Sequence, residues 1–299
     1  MAALEARVKT ALDETRLLIL GAQILFGFHL NGAFQNAFDE LGLLPRVLHA
    51  IAFFLMAITI GLLIAPSLQH RIVERGQASR RILDAATLSA GAALVPFAIS
   101  LGIDLFVVIG FRFGAGLGVA AGASFSMLAL VFWFGTARRQ RSAQTERPMK
   151  NASTSLDVRV EQMLTEARVM LPGAQALLGF QLAILLTQGF ERLPELSKVI
   201  HTFALCCVAL TVILLMTPAC VHRIGYGGEN SERFLRLGSR LVVAAAVPLA
   251  AGIAGDIYVA VAKALDWPQA GAFVAAATAA LLAAMWLIYP LLLRRRRLS

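Results

Sequence analysis

Eight apolar runs constrain this chain more than any other feature of its sequence. Each run is about 20 residues long, which is the length of a helix that crosses a bilayer. The runs are Leu17–Phe38, Val47–Pro66, Ala85–Val108, Gly114–Phe134, Met170–Phe190, Val199–Pro218, Leu241–Val261 and Ala270–Leu293. They show no alternation of period two, so they favour helices over the strands of a membrane barrel.

Charged residues make up 15% of the chain, against about a quarter in a typical soluble domain. The charges also cluster at the ends of the apolar runs, where a membrane protein meets water. We therefore predict an all-α fold, a polytopic membrane helix bundle with eight transmembrane helices. A soluble all-helical bundle with buried helices is the alternative.

The basic stretches all follow even-numbered runs. They are Arg71–Arg81, Arg138–Lys150, Arg223–Arg240 and Arg294–Arg297. Because cytoplasmic loops carry the excess of Lys and Arg, both termini are predicted to be cytoplasmic, with the protein in the bacterial inner membrane. The net charge of +9 then indicates anionic lipid headgroups as partners, and no nucleic acid is expected.

The sequence repeats itself at an offset of 152 residues. Without a gap, Glu14–Asp104 matches Glu166–Asp256 at 33 of 91 positions, including pairs of Glu, Arg, Gln, His, Pro and Asp. Apolar bias alone aligns Leu with Leu but does not align these polar residues. Since each copy holds an even number of helices, the two four-helix repeats are predicted to be parallel and related by a pseudo-two-fold axis.

The predicted boundaries follow from this duplication. The first repeat is expected over residues 1–137, a polar cytoplasmic linker over residues 138–160, and the second repeat over residues 161–299. A single copy would correspond to an ancestral homodimer, and self-association of the present chain is a further expectation.

Each copy resembles a family of small four-helix bacterial membrane proteins. The resemblance rests on Glu14-Thr-Arg16, Gly21-x-Gln23-x-Leu25-x-Gly27-Phe28 and Pro66-x-x-x-His70-Arg71, which recur as Glu166-Ala-Arg168, Gly173-x-Gln175-x-Leu177-x-Gly179-Phe180 and Pro218-x-x-x-His222-Arg223. That family is classed as a domain of unknown function, and some members carry the label of sodium:proton antiporter. The resemblance implies the four-helix membrane fold, and it brings no matched catalytic motif.

Ionisable residues within apolar runs are costly and therefore need a reason. Counting about 1.5 Å per helical residue places His49 and Asp104 in the outer quarter of the membrane, and His201 and Asp256 repeat that placement. A His and a partly desolvated carboxylate can exchange a proton and compensate each other's charge. These four residues are the predicted ion or proton site; the alternative is that they only pin helix ends near the headgroups.

Two further polar sets recur in both copies. Gln23 and Gln175 are expected to hydrogen-bond across helix interfaces beside small residues. A cytoplasmic charged layer is expected to act as an ion-pair network or inner gate, or only to anchor helices in the headgroups. It comprises Glu14, Arg16, His70, Arg71, Arg81, Glu166, Arg168, His222, Arg223 and Arg233.

The chain lacks the sequence motifs of the common enzyme classes. It has no phosphate loop, no H-E-x-x-H and no G-x-S-x-G, so no catalytic residues are predicted and no enzyme is expected. The three cysteines lack metal-ligand spacing, so neither a metal site nor a cofactor is predicted. The function predicted is small-ion transport or conduction, with proton coupling as one form of it. The alternatives are a membrane scaffold that binds partners and, more remotely, an enzyme acting on lipid.

Overall fold

The structure, a computed structural model, describes residues 2–141, 155–185, 187–224 and 230–298, and these ranges are helical apart from short connections. The first copy contains α1 (Ala2–Gly32), α2 (Asn36–Asp39), α3 (Leu43–Ile72), α4 (Arg80–Phe113) and α5 (Ala115–Arg141). The second contains α6 (Leu156–Ile184), α7 (Gln188–Glu191), α8 (Glu195–Ile224), α9 (Glu232–Leu265), α10 (Pro268–Ala283), a π-turn (Ala284–Ile288) and α11 (Tyr289–Leu298). We call α10, the π-turn and α11 together the last helix.

Within the described ranges, six helical segments are long and apolar enough to cross a membrane. They are Leu43–Ile72, Arg80–Phe111, Leu156–Ile184, Glu195–Ala219, Glu232–Leu265 and Pro268–Arg296. Two shorter apolar stretches, Leu18–Gly32 and Ala115–Val131, lie within α1 and α5. These lengths and compositions are typical of a membrane protein.

Two predicted runs, Leu17–Phe38 and Met170–Phe190, do not form single helices. The first turns after Gly32, where Gln35 donates its backbone N–H to the Gly32 carbonyl at 3.1 Å. In the second copy the Thr187 side chain caps the next short helix by accepting from the Phe190 N–H at 3.2 Å. The short helices α2 and α7 therefore cover the ends of α1 and α6.

The α3 and α8 helices extend beyond the apolar runs, because they continue through Pro66 and Pro218 to Ile72 and Ile224. The next helix in each copy begins alike. Ser79 accepts from the Ile82 N–H, and its repeat equivalent Ser231 accepts from the Phe234 N–H, which are N-caps of the usual kind.

The first helices of the two copies run in the same direction. Gln23 packs against Gly173, and further along both helices Phe180 packs against Gly27. The α3 and α4 helices run in opposite directions, because Ser89 of α4 bonds to Leu62 of α3, and Ser100, further along α4, bonds to the earlier residue Ala52. One hydrophobic core extends through both copies.

The packing between copies departs from two-fold symmetry. A Cβ at Gly27 would overlap the Phe180 ring, whereas the equivalent Gly179 has open space around it. Likewise the Gln23 side chain packs against Gly173, whereas a Cβ at the equivalent Gly21 would have nothing within 4 Å. The α3 helix packs on α9 and on the last helix, and the equivalent pair α8 and α4 shares no comparable packing in the described part of the chain.

Candidate functional site

His29, near the end of α1, lies directly against Asp104 of α4. Its Nε2 atom is 2.9 Å from the Asp104 Oδ1 atom, and its Nδ1 atom is 2.8 Å from the Leu25 carbonyl oxygen. A carbonyl oxygen can only accept, so Nδ1 carries a hydrogen. The short contact of Nε2 with the carboxylate needs a second hydrogen, because otherwise two lone pairs would face each other. The pair therefore shares one proton.

His49 of α3 stands behind this pair. Its Nε2–H donates to the backbone carbonyl of His29 at 3.1 Å, and the Phe38 ring of α2 packs edge-on against it at 5.0 Å. The structure therefore places His29, and not His49, at ion-pair distance from Asp104. The role of His49 here is to hold the carbonyl of the residue that carries the shared proton.

Ser100 lies one turn before Asp104 on α4 and connects three helices. Its hydroxyl donates to the Ala52 carbonyl of α3 at 3.0 Å, and the same oxygen is 3.4 Å from His29 Nε2. The α4 helix is continuous through Pro96, so the hydroxyl and the carboxylate lie on one face at a spacing of four residues.

A cavity of about 430 Å³ opens onto these groups. His29, His49 and Asp104 supply its ionisable lining, and apolar side chains of α1, α2 and α4 supply most of the rest. The Asp104 side chain is 24% exposed. Its second oxygen, Oδ2, has no hydrogen-bond partner among the described residues. The cavity is thus lined by an ionisable pair, and one buried oxygen of its carboxylate is uncommitted.

The second copy builds a related arrangement around Asp256. Gln181 takes the place of His29, and its side-chain amide donates to both oxygens of Asp256 at 3.0 and 2.9 Å. His201 donates to the Gln181 backbone carbonyl at 3.0 Å, and its Nδ1 atom lies 3.8 Å from Asp256 Oδ1. All three residues are fully buried. This site is closed, and the amide of Gln181 carries no titratable proton.

Three residues of the predicted charged layer meet in one buried cluster between the copies. Glu166 of α6 accepts from His70 Nδ1 at 2.7 Å and from Arg71 Nε, both of α3, and all three side chains are essentially buried. Arg81, Arg168 and Arg233 are exposed instead. His222 is 3.2 Å from the Asn230 side-chain oxygen. The predicted side chains of Glu14, Arg16 and Arg223 lie outside the described residues.

The two glutamines predicted at helix interfaces differ in burial. Gln23 is buried between α1 and α6, and both polar atoms of its side-chain amide lack a partner among the described residues. Gln175 is exposed. In the described part of the chain no group of three His, Cys, Asp or Glu side chains is placed to hold a metal ion.

One family, described as a family of unknown function (DUF6328), matches the chain twice, over residues 3–137 and residues 150–290. The chain belongs to this family. The double match covers most of both halves, so the predicted resemblance is confirmed, and the match is consistent with a tandem duplication of a DUF6328 unit. No curated protein and no solved structure matches the chain.

Sequence reasoning missed the pairing of His29 with Asp104. The signal was present, since His29 and Gln181 are polar residues at equivalent positions of two apolar runs. The spacing along the first helix of each copy does not reveal which residue of a later helix these side chains face. The pairing of Glu166 with His70 and Arg71 joins different copies, and comparison of the copies along the sequence cannot reveal it.

Proposed function

We propose that this DUF6328 protein transports or conducts a small ion across the membrane, with a proton exchanged at the His29–Asp104 pair. The observation that carries the proposal is the position of this pair at an open cavity, with one carboxylate oxygen left uncommitted. Ionisable groups within apolar segments are expensive and commonly mark ion pathways.

The chemistry of the pair supports two states. With the shared proton, His29 and Asp104 together are neutral. Without it, a histidine lone pair faces a carboxylate, and the site carries a net negative charge. The deprotonated state would accept a small cation at the Asp104 oxygens, so proton and cation would alternate at one place.

The closed site of the second copy has a structural role in this proposal. Its Gln181 amide donates to both Asp256 oxygens, and an amide cannot itself exchange a proton. The first copy would then exchange the proton and the ion, and the second copy would hold the surrounding helices in place. No enzymatic activity is part of this proposal.

We further propose that eight helices cross the bacterial inner membrane, in two parallel repeats with cytoplasmic termini. The common direction of α1 and α6 and the basic stretches after every second apolar run support this topology. The shorter apolar stretches of α1 and α5 would complete the eight spans.

Cysteine labelling tests the topology. In a variant without native cysteines, an impermeant thiol reagent should label Gly42→Cys and Trp267→Cys in intact cells, and Asn230→Cys only after permeabilisation. Labelling of Trp267→Cys without labelling of Gly42→Cys would instead favour six spans, because α1 would not cross.

Ion flux tests the function. Proteoliposomes with an internal pH dye should show proton flux driven by a cation gradient, and the double variant Asp104→Asn, Asp256→Asn should abolish it while fold and yield persist. Absence of flux under every gradient, with a double variant that is merely unstable, would favour a scaffold whose polar residues only hold helices together.

A further inference from the structure

A groove of about 450 Å³ lies between α3, α4 and the last helix. Its lining is mostly apolar and includes Leu62, Pro66, Leu88, Ala92 and Met285. The groove joins the two copies, because α3 and α4 belong to the first and the last helix to the second.

The last helix is fixed on α3 by a specific contact. Trp286 donates its indole N–H to the Gly61 carbonyl at 2.9 Å, and a Cβ at Gly61 would overlap Met285. Trp286 and Met285 lie in the π-turn, which changes the register of side chains along the helix. The wall of the groove is therefore held in place and is not a loose helix face.

Basic side chains lie beyond one end of this groove. On α4, Arg81 precedes Ala85, Leu88 and Ala92 at spacings of four, three and four, which places all of them on one helix face. On the last helix, Arg296 follows Tyr289, which lines the groove, by seven residues and lies on the same face. Both arginines are exposed.

We propose that this groove binds one anionic phospholipid, with an acyl chain along the apolar lining and the phosphate between Arg81 and Arg296. An apolar groove alone accepts any chain, but guanidinium groups at one end select a phosphate-bearing headgroup that carries net negative charge. The lipid would bridge the two copies. The inference is independent of the ion site and rests on the proposed membrane insertion.

The second copy offers a natural comparison. Arg233 and Ala244 are the repeat equivalents of Arg81 and Ala92, and both are exposed on α9. In the described part of the chain α5, the repeat equivalent of the last helix, does not pack comparably on α8, so the corresponding groove is not closed. The same residue types are therefore present there without the third wall.

Native mass spectrometry of the full chain, titrated with phosphatidylglycerol or phosphatidylcholine, tests the proposal. Wild-type protein should retain one phosphatidylglycerol in preference to phosphatidylcholine. Arg81→Gln and Arg296→Gln should each weaken that binding about tenfold, which is the loss expected for one charge-assisted hydrogen bond. Ala92→Phe should block the acyl chain.

The matched controls Arg233→Gln and Ala244→Phe should leave binding unchanged. Equal retention of the two lipids would overturn the proposal, as would a loss in Arg233→Gln as large as that in Arg81→Gln. Because Arg81 and Arg296 are exposed, their variants should fold. They therefore test the proposal even if Ala92→Phe does not fold. Labelling of Gly42→Cys reports on membrane insertion separately.

Discussion

The Nε2 atom of His29 lies 2.9 Å from the Oδ1 atom of Asp104, at a cavity that the corresponding residues of the second copy do not share. Gln181 stands where His29 would be and satisfies both oxygens of Asp256. Duplication has therefore preserved the carboxylate and its neighbouring histidine, while only the first copy has a second histidine in direct contact with the carboxylate.

Replacing His29 by Gln should give the first site the properties of the second. His29→Gln should fold, because the second copy already accommodates Gln at this position, and it should reduce proton flux in proteoliposomes to that of protein-free vesicles. The physical reason is that an amide can donate to Asp104 but cannot release a proton. Flux that survives in a folded His29→Gln protein would mean that His29 does not carry the proton.

At the α1–α6 interface, a larger side chain should lower stability at Gly27 but not at its repeat equivalent, Gly179. Gly27→Val would place side-chain atoms in the Phe180 ring, so it should lower stability by about 1–3 kcal/mol, as overpacking commonly does. Gly179→Val, which meets open space, is the matched control and should change stability little. Thermal unfolding in detergent measures both, and equal losses would contradict the described packing.

The buried charge cluster between the copies should contribute more to stability than an exposed ion pair. Glu166→Gln would leave Arg71 buried without its counter-charge, which typically costs about 3–5 kcal/mol. Glu195 pairs with Lys198 at 2.7 Å on the surface, so Glu195→Gln should cost at most about 1 kcal/mol. Denaturation in detergent compares the two variants, and a Glu166→Gln protein as stable as Glu195→Gln would rule out a structural role for the cluster.

The sequence predicts the helical fold well because apolar runs and basic clusters are local signals. It places Asp104 and His49 at one depth of the membrane, but it does not reveal that His29 is the residue that contacts Asp104, since rotation of α1 depends on its packing against α6. The predicted two-fold relationship fails at Gly27 and Gly179 for the same reason. Identical residues in the two copies meet different neighbours because the last helix packs on α3, whereas α5 does not pack comparably on α8 in the described part of the chain.

Comparison of two single variants tests the central claim most directly. Proton flux should be measured in proteoliposomes that contain Asp104→Asn or Asp256→Asn, with equal amounts of folded protein verified by size-exclusion chromatography. We predict that Asp104→Asn abolishes flux and that Asp256→Asn largely retains it, because the first site lies at an open cavity and the second is fully buried. Equal loss in both variants, or flux that persists in Asp104→Asn, would contradict the account.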